Sequence, residues 1–292
     1  MSSRNYGLVI VTIAYHSSHA LELLSRDLSC QNEHPTRWVI VNNSPNSSEP
    51  IQLHTPFPTL VIAGEEGSGF AEGCNLALDY LLNDLWDGWV WLLNPDITLQ
   101  KSTILNSLRI SLASCPENVL VGTAVFDCIG NLEKSAGWID PGLDFRRRRI
   151  NHESLSTYKN QLLPLDWVSG CSMLLSPGCL LEKPRFEESL PLYYEDMDFC
   201  IRLARKNSKV LWMPSISVGH QNGQGSLTSP NRRLRLSSCS YIRFLQRHRP
   251  GIVLILRTFR ILILALVRLP VTPARSISVF HGCFQAFLNP LD

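Results

Sequence analysis

Trp89-Val90-Trp91-Leu92-Leu93-Asn94-Pro95-Asp96 is the stretch on which the architecture turns. Its first five residues are apolar with no polar alternation, the pattern of a strand buried on both faces of a parallel sheet. Pro95 offers no N–H to a ladder, so the strand stops before it. Asn94, preceding a proline, is held extended. Asp96 is then the first carboxylate beyond the strand's carboxyl end, the edge at which open α/β sheets bind ligands.

The flanking sequence repeats the same grammar. Leu8 to Ala14 is a β-branched run that predicts a first buried strand. The turn Tyr15-His16-Ser17-Ser18 follows, with Ser17 or Ser18 as cap of a helix to about Cys30. Trp38 to Val41 predicts a second strand, ending in turn chemistry from Asn42 to Ser48. Leu60 to Ala63 predicts a third, then a glycine-rich loop from Gly64 to Gly73 and a helix from Asn75 to Leu85. Strands and helices alternating at this spacing predict an α/β fold: a mostly parallel sheet flanked by helices with right-handed crossovers. Downstream, Lys101 to Ala113 reads as a helix and Val119 to Phe126 as a strand. Residues 128–163 read as a hairpin and a long loop over the sheet edge, carrying the run Arg146 to Arg149. Such a run is more often solvated than bound to phosphate. Asp166 to Leu175 is strand-like, with Gly170 where a backbone or ligand comes close. Val210 to Met213 is one more strand.

Charge divides the chain more sharply than the net +2 suggests. Residues 1–198 hold 13 Lys and Arg against 24 Asp and Glu, and residues 199–292 hold 14 against one, Asp292. The basic end reads as a surface for anions. Within it, Ile252 to Leu269 is the most apolar segment, interrupted by Arg257, Arg260 and Arg268. At about 100° per residue those three share an arc of roughly 80°. Spanning a bilayer would bury Arg260 near its centre at a cost of about 2.5–3.5 kcal/mol. A helix lying in the membrane surface avoids that cost, its arginines meeting anionic headgroups; the other reading is a core helix docked on the domain. The aromatic content is too sparse for a nucleic-acid stacking platform, so no nucleic-acid partner is expected. Nine irregularly spaced cysteines, no CxxC pair and no signal-peptide pattern after Met1 suggest reduced thiols in the cytoplasm. A domain over 1–230 is expected, in two halves of about 1–126 and 127–230, followed by a helical basic region over 231–292.

The chemistry clusters in two places. Tyr193-Tyr194-Glu195-Asp196-Met197-Asp198 crowds three carboxylates at the start of a helix that runs to about Lys206. Acids there suit the helix dipole, but Asp196 is also a candidate base for an acceptor hydroxyl, with Glu195 orienting its neighbours. Asp198, two residues on, should point elsewhere. Gly219-His220 follows the last strand, with Gly223 beyond. Asp96 and His220 are candidate ligands of one divalent cation, Mg2+ or Mn2+, which substrate phosphate and water typically complete.

Taken in order, Tyr15, Val41-Asn42-Asn43-Ser44, Gly69-Phe70-Ala71-Glu72-Gly73-Cys74-Asn75, Leu93-Asn94-Pro95-Asp96, Asp166-Trp167-Val168-Ser169-Gly170, Tyr194 to Arg202 and Gly219-His220 resemble the family-2 inverting glycosyltransferases of the GT-A fold. The likeness is greatest to the bacterial rhamnosyltransferase branch and covers about residues 6–250. The resemblance implies a nucleoside-diphosphate sugar donor, a dTDP- or UDP-sugar such as dTDP-rhamnose. The implied acceptor is a glycan or polyprenyl-diphosphate-linked glycan of cell-surface polysaccharide assembly. It implies Asp196 as base beside Glu195, Asp96 and His220 at the metal, and donor contacts from Ala14, Tyr15, Asn42, Gly69, Asn75, Asn94 and Asp96. Acceptor contacts would come from Asp166, Trp167 and Gly170. The implied location is the cytoplasmic face of a membrane, held there peripherally. Asn42 stands where many members carry Asp, His16 and Cys74 where they carry Asn, and a single acid marks the metal motif.

Two other readings compete. Gly67 to Gly73 loosely imitates the GxGxxG turn of dinucleotide-binding oxidoreductases, but its last spacing is one residue too long and it follows the third strand. A non-catalytic sugar-nucleotide or lipid binder would have no use for the intact Glu195-Asp196 pair and His220.

Overall fold

The computed structural model describes residues 6–48, 51–140, 147–159, 161–221 and 229–288. The amino-terminal half runs β1 (Leu8–Ala14), α1 (Ser18–Ser29), β2 (Arg37–Asn42), β3 (Thr59–Ala63), α2 (Phe70–Asn83), β4 (Trp89–Leu93), β5 (Ile97–Thr98), α3 (Ile104–Leu112) and β6 (Val119–Asp127). There follow β7 (Ala136–Ile139), β8 (Arg147–Arg149), α4 (His152–Thr157), β9 (Leu163–Pro164), β10 (Trp167–Val168), β11 (Ser172–Leu175), α5 (Pro177–Leu181), α6 (Glu195–Arg205) and β12 (Lys209–His220). Three helices close the chain: α7 (Pro230–His248), α8 (Gly251–Arg268) and α9 (Pro273–Leu288).

The main sheet has the order β3-β2-β1-β4-β11-β6-β12-β5, with β9 also paired to β12. Strands β3, β2, β1 and β4 are mutually parallel, as are β6 and β12. β11 lies antiparallel between β4 and β6. β4 is buried along its whole length, as its unbroken apolar run requires. One hydrophobic cluster fills the face under α2 and α6, another the face under α1 and α3. A second, three-stranded sheet, β10-β7-β8, stands beside the first.

Several expected elements are redrawn. α2 begins at Phe70, not Asn75, because Gly73 belongs to the helix. A Cβ at Gly73 would sit 2.6 Å from the Ile13 side chain, so that glycine serves the close approach of α2 to β1. The strand-like run from Asp166 is two strands in different sheets, broken at Ser169-Gly170-Cys171. The last strand extends through His220, with a register shift between Met213 and Ser217. Residues 128–163 hold the expected hairpin, β7 paired antiparallel with β8, and α4 and the start of β9 where a long loop was expected; Arg146, like Gly223 and Asp292, lies outside the described residues. All nine cysteines are free thiols.

Asp198 is buried at 0% exposure and bolts α6 to α7. It accepts from Arg202 Nε at 2.7 Å, lies 2.8 Å from His248 Nε2 and 3.4 Å from Arg247 Nε. Burial alone would raise its pKa, but the hydrogen bond with His248 and the charge and hydrogen bond of Arg202 hold the carboxyl below its ordinary value. Its contribution to stability is therefore full above the ordinary carboxylate range of about pH 4 and is lost as pH falls through the depressed value. Asp198→Ala leaves the buried His248 and the half-buried Arg202 and Arg247 without the carboxylate they share, so a loss of about 3 kcal/mol is expected in chemical denaturation.

Among the described residues, no helix is long and apolar enough to cross a membrane. α7 buries Ile242, Phe244 and Leu245, whereas α8 buries only Val253, Thr258 and Ala265. The outward side of α8 carries Ile252, Ile255, Leu256, Phe259, Ile263 and Leu266, one stripe at helical spacing. α9 likewise exposes Ile277, Phe284 and Phe287.

Candidate active site

Three segments meet at the carboxyl edge of the sheet. Past β4, the Asn94 N–H donates to the Cys171 carbonyl, tying the strand end to the Ser169–Cys171 break. β5 then turns back antiparallel on the end of β12, setting Ile97 opposite His220. Gly219 is required here, since a Cβ would fall 2.4 Å from Thr98 Oγ1. The Gln221 N–H donates to the Asp96 carbonyl, closing the junction.

In this frame His220 Nε2 lies 3.2 Å from Asp96 Oδ1, and Nδ1 lies 3.0 Å from Glu133 Oε1. Burial would lower the imidazole pKa, but hydrogen bonds to Asp96 and Glu133 outweigh it and push it up to about 10. The donor set fits a divalent cation. A separation of 3.2 Å is about what two neighbouring ligands show around an ion with bonds near 2.1 Å. A carboxylate behind the far ring nitrogen is the usual device for orienting a metal-bound histidine. Among the described residues no group of three or more His, Cys, Asp and Glu forms a cage, so phosphate oxygens and water would supply the other positions.

Glu195 and Asp196 open α6 after two residues held in the left-handed region, Tyr193 at φ 64° and Tyr194 at φ 72°. Such strain, about 1–2 kcal/mol per residue, persists where surrounding packing imposes it. Tyr194 packs against Tyr241 and Phe244 of α7, which fixes the approach of the helix. Asp196 Oδ1 accepts from the Met197 N–H at 2.7 Å and Oδ2 from the Gly170 N–H at 3.4 Å. Burial raises its pKa, and the bonds from Met197, Gly170 and Ser169 only partly offset this. Glu195 is held well above the carboxylate range by burial first and then by the charge of Asp196.

One cavity of about 1810 Å3 gathers Asn94, Glu133, Ser135, Trp167, Gly170, Glu195, Asp196 and His220 on its wall. Four side-chain polar atoms on that wall are buried without a hydrogen-bond partner: Ser135 Oγ, Trp167 Nε1, Glu195 Oε2 and Ser276 Oγ. Nine further such atoms lie elsewhere among the described residues, but these four face a cavity in which a bound ligand would satisfy them. Gly170 holds Phe70 at its side, and an added Cβ would come 2.8 Å from that ring. Gly170→Ala is therefore expected to displace Phe70 or the Gly170 N–H from Asp196, lowering turnover about tenfold. Steady-state kinetics on the folded variant check it.

Other sequence candidates sit elsewhere. Asp166 Oδ2 accepts from the Ile139 N–H and faces a separate cleft, so it pins β7 instead of joining Trp167. Asn75 is buried with its amide bound to the Phe186 backbone and to Glu188, holding residues 186–188 against α2. Asn42 Oδ1 accepts from Ser44 in the turn after β2, beside Ala14 in the register of β1. Tyr15, half-exposed, follows Ala14. Gly69 caps α2. None of these six lines the cavity of Asp196. Asn43, not Asn42, links the β2 turn to the glycine loop, donating to the Ser68 and Gly69 carbonyls.

Glu133 was not among the sequence candidates. Its signal is the Asp127-Cys128-Ile129-Gly130-Asn131 turn, where Asp127 accepts from Ile129 and Asn131 and folds the chain back along the end of β6. Of the arginine run, Arg148 stacks over Trp138 and pairs with Asp140, while Arg149 faces the cavity.

No family model matches the chain. It is 26% identical over 212 residues to the low-salt glycan biosynthesis hexosyltransferase Agl10 of Haloferax volcanii, a match covering 70% of this chain and 63% of that protein's length. It is 23% identical over 261 residues to the N-acetylglucosaminyl-diphospho-decaprenol L-rhamnosyltransferase of Mycobacterium tuberculosis, covering 82% of this chain and 85% of that protein. Among solved structures, GalNAc-T7 with UDP, GalNAc and Mn2+ superposes with a TM-score of 0.56 at 12% identity, over 83% of this chain and 48% of the other. The mannosyltransferase PcManGT of Pyrobaculum calidifontis, in complex with GDP-Man and Mn2+, gives 0.53 at 12% identity over 99% and 77%. The chain thus has the GT-A fold, and the proteins it resembles in sequence and in structure are glycosyltransferases.

Proposed function

We propose that this chain is an inverting, family-2-type glycosyltransferase. Its donor is a nucleoside-diphosphate sugar, rhamnose from dTDP-rhamnose being the first to test. Its acceptor is a hydroxyl on a glycan or polyprenyl-diphosphate-linked glycan. The observation that carries the reading is that Asp196 and His220, delivered by α6 and β12, face one cavity, with Asp96 on the imidazole's near nitrogen.

Asp196 takes the acceptor's hydroxyl proton as that oxygen attacks the anomeric carbon, and the bond to the departing diphosphate breaks on the opposite face. Its raised pKa makes it a stronger base than an ordinary carboxylate. The Gly170 and Met197 N–H groups hold both its oxygens in place. Asp96 and His220 would hold a Mg2+ or Mn2+ ion, which offsets charge on the leaving diphosphate when bound. Glu133 sets the ring orientation of His220. Glu133→Ala is accordingly expected to weaken Mn2+ binding about 10–100-fold, read from the Mn2+ dependence of donor hydrolysis.

The apolar stripes of α8 and α9 seat the chain on an anionic membrane surface. A screen of dTDP-, UDP- and GDP-sugars by mass spectrometry, with Mn2+ or with EDTA, tests the reading. Cation-dependent release of a nucleoside diphosphate is expected. Inertness toward every donor would favour a non-catalytic relative.

A further inference from the structure

The Asp196 cavity extends well past the base, and its far wall has a different character. Arg233 of α7, Arg257 and Arg268 of α8 and Arg275 of α9 line it, joined by Arg149 from β8. Residues 230–288 contain ten arginines, no lysine and no acid. Guanidinium forks suit phosphate oxygens two at a time, which lysine does not. Ser276, 2% exposed, faces the same wall with its Oγ unpartnered. Between the arginines the lining turns apolar, with Ile261, Leu264 and Val271. This wall is built from the helices whose other sides carry the exposed apolar stripes.

We propose that this arginine wall binds the diphosphate of a polyprenyl-diphosphate-linked acceptor, its lipid running out along α8 and α9 and its sugar hydroxyl reaching Asp196. The proposal rests on the glycosyltransferase reading and narrows its acceptor from any glycan to a lipid diphosphate. The arginines meet the acceptor's phosphates, while the donor's lie at Asp96 and His220. The same helices that form the clamp also present apolar surface, so headgroup and chain are recognised by one unit.

Farnesyl diphosphate, which carries no sugar, serves as probe. Calorimetric titration of the full chain is run with farnesyl diphosphate, farnesol, UDP with Mn2+, and phosphatidylglycerol vesicles, on wild type and on Arg268→Ala/Arg275→Ala, with thermal unfolding to confirm the fold. The expected result is wild-type preference for farnesyl diphosphate over farnesol, and at least a tenfold loss for farnesyl diphosphate in the variant. Equal affinity for farnesol, or unchanged farnesyl diphosphate binding in the variant, overturns the proposal. So does an equal loss for UDP, which would assign the arginines to the donor, or a loss confined to the vesicles, which would assign them to headgroups. Failure of the glycosyltransferase reading shows separately, as wild-type inertness toward all nucleotide sugars with farnesyl diphosphate binding intact.

Discussion

Asp196→Asn is expected to lower sugar transfer about a thousandfold while leaving donor affinity within a few-fold of wild type. General-base assistance is typically worth 10²–10⁴ in rate, and asparagine keeps the shape of the side chain while removing its proton affinity. The amide keeps one acceptor oxygen, which the Met197 N–H at 2.7 Å retains, holding the first turn of α6, while the longer 3.4 Å contact from the Gly170 N–H is given up. The loss therefore falls on turnover and not on KM. Burial holds the Asp196 pKa above the ordinary carboxylate value, and a base must be deprotonated to act. Turnover should fall as pH drops through that raised value, beginning above the usual range of about pH 4. Single-turnover transfer at several pH values checks both points. A variant that transfers at the wild-type rate would reassign the base, with Glu195 next in line.

The second large effect concerns the membrane. Ile255 and Phe259, 64% and 63% exposed, stand one turn apart on the outward stripe of α8. Burying a large apolar side chain is worth about 1.5–3 kcal/mol, and two charges in their place also repel an anionic surface. Ile255→Glu/Phe259→Glu is expected to cut partition onto phosphatidylglycerol-containing vesicles at least tenfold, with little change in thermal stability because neither side chain belongs to the core. Co-sedimentation reads the partition. Unchanged partition would refute the membrane reading, and dissociation of an oligomer on substitution would show that the stripe packs against a second copy.

The fold was legible where physics is local. The unbroken apolar run of β4 demands burial on both faces, and Pro95 ends it at the edge where Asp96 sits. Asp198 turning away from Asp196 follows from two residues of helix, about 200°. What escaped the sequence is long-range. β11 enters the sheet antiparallel, and its four apolar residues carry no mark of direction. Gly73 looks like a loop residue until Ile13 is beside it. Asp166 and Trp167 are neighbours in sequence, yet a strand's alternation sends one to β7 and the other to the cavity. Glu133 reaches His220 only through a hairpin whose register no motif records. That Arg257 and Arg268 of α8 line the Asp196 cavity depends on how the helix packs, which their helical arc does not record.

Crystals of Asp196→Asn grown with Mn2+ and a hydrolysis-resistant nucleotide sugar, measured at the manganese absorption edge, examine the site at its centre. An anomalous peak about 2.2 Å from both Asp96 Oδ1 and His220 Nε2, with the anomeric carbon facing residue 196 across the cavity, is the expected result. Manganese bound away from that pair, or a sugar turned from residue 196, would contradict it.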